Sequence, residues 1–133
     1  MGTYVADQVV LLMARKGLPV GGARALVLGL AFKENCPDVR NTRVVDIVQR
    51  LIEYGVHVDV TDPWVNASEA KSEYGFDLVS LESAQSGRYQ AVILAVAHRE
   101  FAGIGADLRS LAGDSGVIYD VKGTLGDVAD ARL

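Results

Sequence analysis

Cysteine occurs once in the 133 residues, as Cys36, so an internal disulfide framework is excluded and a reducing compartment suits the chain. An excess of positive charge is also missing. The net charge is −4 and the sequence pI about 5.1, which argues against general binding to nucleic acid or to an anionic membrane surface. No apolar run is long: Ala25–Phe32 and Ala91–Ala97 are the longest, and both are far too short to cross a bilayer. Met1 to Lys16 has an acidic residue and no basic start, so no secretory leader is expected. Internal repeats, low-complexity tracts and a second domain are absent from the pattern. What is present is ordinary for a globular protein: 50% of residues are hydrophobic and 23% charged, in a length typical of one domain with an adequate core.

Hydrophobic spacing gives the order of elements. Val5, Val9, Leu12 and Met13 share a helical face, with Gly17 as a stop. Ala25–Phe32 is continuously apolar, as expected of a strand buried on both faces. From Thr42, a stripe of Val44, Val45, Val48, Leu51 and Ile52 predicts a helix capped by Asn41 or Thr42 and ended by Gly55. Val56–Thr61 alternates as a strand that stops at the turn Asp62-Pro63, with His57 facing outward. Short helices are expected over Glu69–Tyr74 and Leu81–Ser86, with an extended piece near Phe76–Val79 between them. Ala91–Ala97 is a second fully buried strand, Ala106–Leu111 a less regular helix, and Val117–Val121 a last strand. An initial helix followed by β-α-β-α-β-α-β predicts an α/β fold: a Rossmann-like, doubly wound parallel sheet in three α/β/α layers.

In such a sheet, ligands sit outside the carboxyl ends of the strands. The first strand runs there into Lys33-Glu34-Asn35-Cys36-Pro37-Asp38-Val39-Arg40-Asn41-Thr42, a loop whose cations and small polar groups suit a phosphate-rich ligand. The dinucleotide fingerprint Gly-x-Gly-x-x-Gly is missing after this strand, where Gly29 stands without paired glycines. The chain alone is therefore not expected to bind NAD in the usual manner, although Asp62 superficially resembles the acidic ribose-binding residue.

Gly29-Leu30-Ala31-Phe32-Lys33, then Asp38-Val39-Arg40-Asn41-Thr42, a helix, a strand and Asp62-Pro63-Trp64-Val65 form a specific series. Ile93–Phe101, with its Ala97-His98-Arg99-Glu100-Phe101, and Tyr119-Asp120-Val121-Lys122 continue it. Together they resemble the C-terminal domain of the UDP-glucose/GDP-mannose dehydrogenases over Tyr4 to Leu133. Glu69–Gly75 and the ending Ala131-Arg132-Leu133 resemble the bacterial branch that oxidises UDP-N-acetyl-hexosamines for surface polysaccharides. The resemblance implies a cytoplasmic enzyme that takes the sugar's C6 alcohol to a carboxylate in successive NAD-dependent oxidations. It also implies that the catalytic cysteine and the NAD-binding domain lie before this chain, and that the chain closes over the UDP-sugar without activity of its own. Residues 1–17 would be the end of a central linker helix and 18–133 the UDP-sugar-binding domain, within a full-length homodimer. The sugar is left open between UDP-GlcNAc, UDP-GalNAc and similar compounds, with GDP-mannose the more distant choice.

The resemblance also suggests site residues, each with a plainer reading beside it. Lys33 matches the lysine that reaches the UDP-sugar; otherwise it is a solvated surface lysine. Phe32 matches a residue whose backbone helps hold the substrate, while its side chain can simply be core. Arg40 matches an arginine that crosses the cleft toward the NAD phosphates; the alternative is a local surface pair with Asp38. Lys122 stands where the family places a basic residue near the nucleotide end of the substrate. Cys36 does not match the family's nucleophile, and no histidine is close in sequence to activate it. His98, ending a strand, reads as a turn cap or local partner rather than a base, and Trp64 as packing or interface. No metal site is expected. A rival reading is a free-standing Rossmann-like nucleotide-binding or assembly module without catalysis.

Overall fold

A computed structural model describes residues 2–102, 104–113 and 115–133. The sheet consists of β1 (Arg24–Leu28), β2 (His57–Thr61), β3 (Ala91–Leu94), β4 (Val117–Asp120) and β5 (Ala131–Arg132), in the order β2-β1-β3-β4-β5. All its pairings are parallel. The helices are α1 (Gly2–Arg15), α2 (Val44–Glu53), α3 (Ala67–Tyr74), α4 (Leu81–Gln85), α5 (Arg99–Ala102) and α6 (Gly105–Ala112).

The central strands are mostly apolar, with Arg24 opening β1 and Asp120 closing β4, because both of their faces are covered. Ala25, Val27, Ala91, Ile93, Val117 and Tyr119 pack under α1, α2 and α3. Leu26, Leu28, Val92, Leu94 and Ile118 pack on the opposite face against Ala84, Phe101, Leu108 and Leu111 of α4, α5 and α6. The expected three-layer, doubly wound α/β sheet is thus the observed one.

Local differences have local causes. The apolar run from Ala25 leaves the sheet after Leu28, because Gly29 turns the chain at φ +100°. Ile52, expected in the buried stripe of α2, is 53% exposed, whereas Ile47 is buried. Ile52 lies at the margin of the apolar arc in the last turn, where nothing covers it. The sequence pattern also missed α5 and β5. The latter is held by Asp130, whose Oδ2 accepts the Ile118 N–H (2.7 Å) and Arg109 Nη2 (2.9 Å), and whose Oδ1 lies 3.3 Å from Lys16 Nζ.

Candidate functional site

The connection from β1 passes to β2 on one side, and that from β3 to β4 on the other, so the carboxyl ends of β1 and β3 flank the topological switch point. Thr61, Leu28, Leu94 and Asp120 are in register across four strands. The loops that follow them therefore start side by side. Gly29 is held tightly: a Cβ there would lie 2.6 Å from Val96 Cβ, so both its positive φ and the close approach of the β3 loop require glycine.

Asp62, next after β2, gathers these loops. Its Oδ2 accepts the Leu30 and Ala31 N–H groups (2.7 and 2.9 Å), and its Oδ1 those of Trp64 and Val65 (2.8 and 3.2 Å). His98 Nε2 also lies 2.8 Å from Asp62 Oδ2, and both side chains are fully buried. His98 Nδ1 accepts the Asn35 N–H at 2.8 Å, so Nε2 carries the proton and donates it to the carboxylate. Burial pushes the Asp62 carboxyl upward, but the hydrogen bonds from His98, Leu30, Ala31 and Trp64 outweigh it and hold the pKa below the usual aspartate value. Trp64 stacks on His98 with ring centroids 6.1 Å apart, and the Arg99 guanidinium lies over the indole.

The β1 loop closes on itself as well. The Phe32 N–H donates to the Asp38 carbonyl (2.7 Å), and the Tyr74 hydroxyl donates to the Val39 carbonyl. Asn35 and Asn41 adopt left-handed φ values of 54° and 60°, which asparagine tolerates better than most residues. After β4, the buried Asp120 plays the part that Asp62 plays after β2. Its Oδ1 accepts the Lys122 and Gly123 N–H groups (3.1 and 2.8 Å), and its Oδ2 that of Leu125 (2.7 Å). Asp120 thereby sets where Lys122 leaves the backbone.

Between these loops lies a cleft open to solvent. Its walls are Ala31 and Phe32 from the β1 loop, Ala95 and Val96 from the β3 loop, Val121 and Lys122 from the β4 loop, Thr42 to Val44 and Ile47 at the start of α2, and Gly2 and Val5 of α1. The cleft joins apolar walls to two cationic side chains, Lys122 and Arg43, beside a helix N-terminus, a combination suited to an anionic ligand with an apolar or ring-bearing part.

Phe32 and Lys122, far apart in sequence, thus meet in one cleft. Phe32 is 54% exposed, so its side chain is not core. Lys33 is exposed on the adjoining loop and does not line the cleft. Arg40 is also outside it. Its Nε and Nη2 hold Asp38 Oδ1 and Oδ2 at 3.1 and 3.2 Å, and this pair raises the guanidinium pKa and lowers that of Asp38. Cys36 is a half-buried free thiol. His98 pairs with Asp62 across 36 residues, not locally. Asp62 and Asp120 were the residues sequence reasoning undervalued. Their signal was an aspartate directly after, or ending, a buried strand. Among the described residues no His, Cys, Asp and Glu side chains cluster as a metal site, and no helix is long and apolar enough to cross a membrane.

Comparison with known proteins gives this cleft its family. A UDP-N-acetyl-D-glucosamine 6-dehydrogenase of Pseudomonas aeruginosa is 51% identical over 135 aligned positions, covering 100% of this chain and 32% of its own length. One from Salmonella typhi is 44% identical, with 100% of this chain and 31% of the relative covered. The solved structure of a UDP-glucose dehydrogenase from Pyrobaculum islandicum superposes with a TM-score of 0.71 at 30% identity, over 98% of this chain and 28% of that one. The chain thus spans about a third of the length of the curated relatives it matches. Residues 26–127 match the UDP binding domain of the UDP-glucose/GDP-mannose dehydrogenase family, and the chain belongs to that family.

Proposed function

We propose that this chain binds the nucleotide part of a UDP-sugar, most closely a UDP-N-acetyl-hexosamine, for an NAD-dependent 6-dehydrogenase of which it is one domain. The observation that carries the reading is the convergence of Phe32 and Lys122 in one cleft at the switch point of the sheet. Lys122 would meet the diphosphate as a point charge, Phe32 would present its backbone and ring edge, and Lys33 would reach in from the adjoining loop. The N-acetyl-hexosamine assignment is supported by the two relatives named for UDP-N-acetyl-D-glucosamine. In the complete enzyme the sugar's C6 alcohol would become a carboxylate, with NAD as the hydride acceptor.

The NAD itself does not fit this chain's β1 loop. In a dinucleotide-binding turn, free backbone N–H groups face the pyrophosphate. Here the Leu30 and Ala31 N–H groups are spent on the Asp62 carboxylate, and the close approach at Gly29 is filled by Val96. The cofactor is therefore assigned to the remainder of the enzyme, with Arg40 as its one contact from this side, made on exchanging Asp38 for a phosphate. This domain contributes binding and enclosure. We assign residues 1–17 to the end of a linker helix from the central region, 18–133 to the binding domain, the full-length protein to a homodimer, and its place to the cytoplasm.

Calorimetric titration of the chain with UDP and with UDP-GlcNAc tests this. Saturable binding is expected, weakened about tenfold by Lys122→Ala and by Lys33→Ala, the loss of a charge-assisted contact. Binding indifferent to both substitutions would refute the site. NAD reduction by the pure chain supplied with UDP-GlcNAc would refute its assignment as a binding domain alone.

A further inference from the structure

The imidazole of His98 is fully buried, yet it ties the loop that carries Lys33, through Nδ1 directly and through Nε2 by way of Asp62. Nδ1 accepts the Asn35 N–H, and Nε2–H donates to the Asp62 oxygen that also takes the Leu30 and Ala31 N–H groups. One imidazole–carboxylate pair thus grips the backbone at positions 30, 31 and 35, on both sides of Phe32 and Lys33. Asn35 is tied further, its Oδ1 accepting the Arg99 N–H at 2.9 Å, and its left-handed backbone reverses the chain just beyond Lys33. A buried carboxylate is costly and is retained where it has donors to satisfy. Four of the five donors to Asp62 are backbone N–H groups of ligand-side loops, and the fifth is His98. A core needing only to be filled would take an apolar pair here.

We propose that His98 and Asp62 are positioning residues for the nucleotide-sugar site: they fix the backbone on both sides of Lys33 so that its ammonium leaves from a point where it can reach the ligand's diphosphate. His98 touches no substrate and acts through Lys33. The inference rests on the reading of the cleft given above. It accounts for an exposed, flexible side chain such as Lys33 working from a defined point, since its neighbours' N–H groups are anchored in the core.

The test is a double-mutant cycle on this chain, with wild type, Lys33→Ala, His98→Gln and the double variant titrated with UDP, and amide hydrogen exchange measured without ligand. His98→Gln is expected to weaken UDP about tenfold, the worth of a misplaced charge-assisted contact, and to add nothing to Lys33→Ala. Wild-type affinity in His98→Gln, or losses that multiply in the double variant, would overturn the inference. Exchange at Ala31 and Asn35 is expected to quicken while Val27 and Ile93 in the central strands keep their wild-type rates. Unchanged exchange at Asn35, or loosening throughout the sheet, would reduce the pair to core packing. If wild type does not bind UDP, the reading of the cleft fails, and the exchange pattern decides the positioning by itself. Should His98→Gln not fold, exchange in the wild-type chain decides: the Leu30, Ala31 and Asn35 amides are expected to be protected although they lie in a loop, and exchange there at the rate of free loop amides would overturn the inference.

Discussion

Replacing Asp62 by asparagine changes one oxygen to an amide nitrogen in a site that contains five donors and no acceptor other than the carboxylate. An amide oxygen placed at Oδ2 keeps Leu30, Ala31 and His98 but turns its NH2 toward the Trp64 and Val65 N–H groups; the reverse orientation strands the other three. The better orientation leaves two donors without an acceptor, at about 1–3 kcal/mol each. Trp64 is only half-buried, so the lower part of the range applies and the loss is about 2–4 kcal/mol. Spread over 133 residues at about 2.1 cal/mol/K per residue, that lowers Tm by about 7–14 °C. The pH dependence adds a second signature. The folded Asp62 pKa lies below the ordinary 3.8, so its stabilisation is complete above pH 3.8 and disappears as the pH falls through the depressed folded value. The Tm gap between wild type and Asp62→Asn should therefore be full at neutral pH and narrow in acid. Thermal unfolding followed by circular dichroism measures both. A Tm within about 2 °C of wild type at pH 7, or a gap that stays constant into acid, would refute the reasoning, since both depend on a buried, multiply bonded carboxylate.

Gly29→Ala should destabilise by about 2–5 kcal/mol, from left-handed strain plus overlap with Val96, and a urea midpoint near that of wild type would show that the β3 loop can yield. Phe32→Ala removes a side chain that is 54% exposed, so stability should hold within about 0.5 kcal/mol while UDP affinity falls; urea unfolding and titration calorimetry on one preparation check the pair of outcomes. Tyr89, whose hydroxyl donates to Asp59 Oδ2 at 2.8 Å, has its phenol pushed up to about 12 by burial and that bond. Ultraviolet titration should show Tyr89 ionising last, behind Tyr54 and Tyr119 whose phenols are also raised, and this last step should vanish in Tyr89→Phe. Because the folded value is raised, stability falls as pH rises from 10 toward 12, and a wild-type protein equally stable across that interval would contradict it.

The sequence by itself determined the fold class, because continuous apolar runs at Ala25 and Ala91, alternating with amphipathic helical segments, are the pattern of strands covered on both faces, and those segments supply the cover. It also determined the strands and α2 beside the site, though not α5, and, through the series from Gly29 to Lys122, the family. It was blind to β5, two residues held through Asp130 by partners brought from Lys16, Arg109 and Ile118. Asp62 and His98 looked like a turn and a turn cap because each, seen alone, is a polar residue after a strand. Only the β2-β1-β3 strand order brings them to 2.8 Å from one another. The tertiary structure likewise put Phe32 and Lys122 in one cleft, kept Lys33 just outside it and bound Arg40 to Asp38. The physical reason is one of range. Period and composition report what each segment buries along its own length, whereas a site at the carboxyl edge of a sheet is made by strand register, which joins residues tens of positions apart.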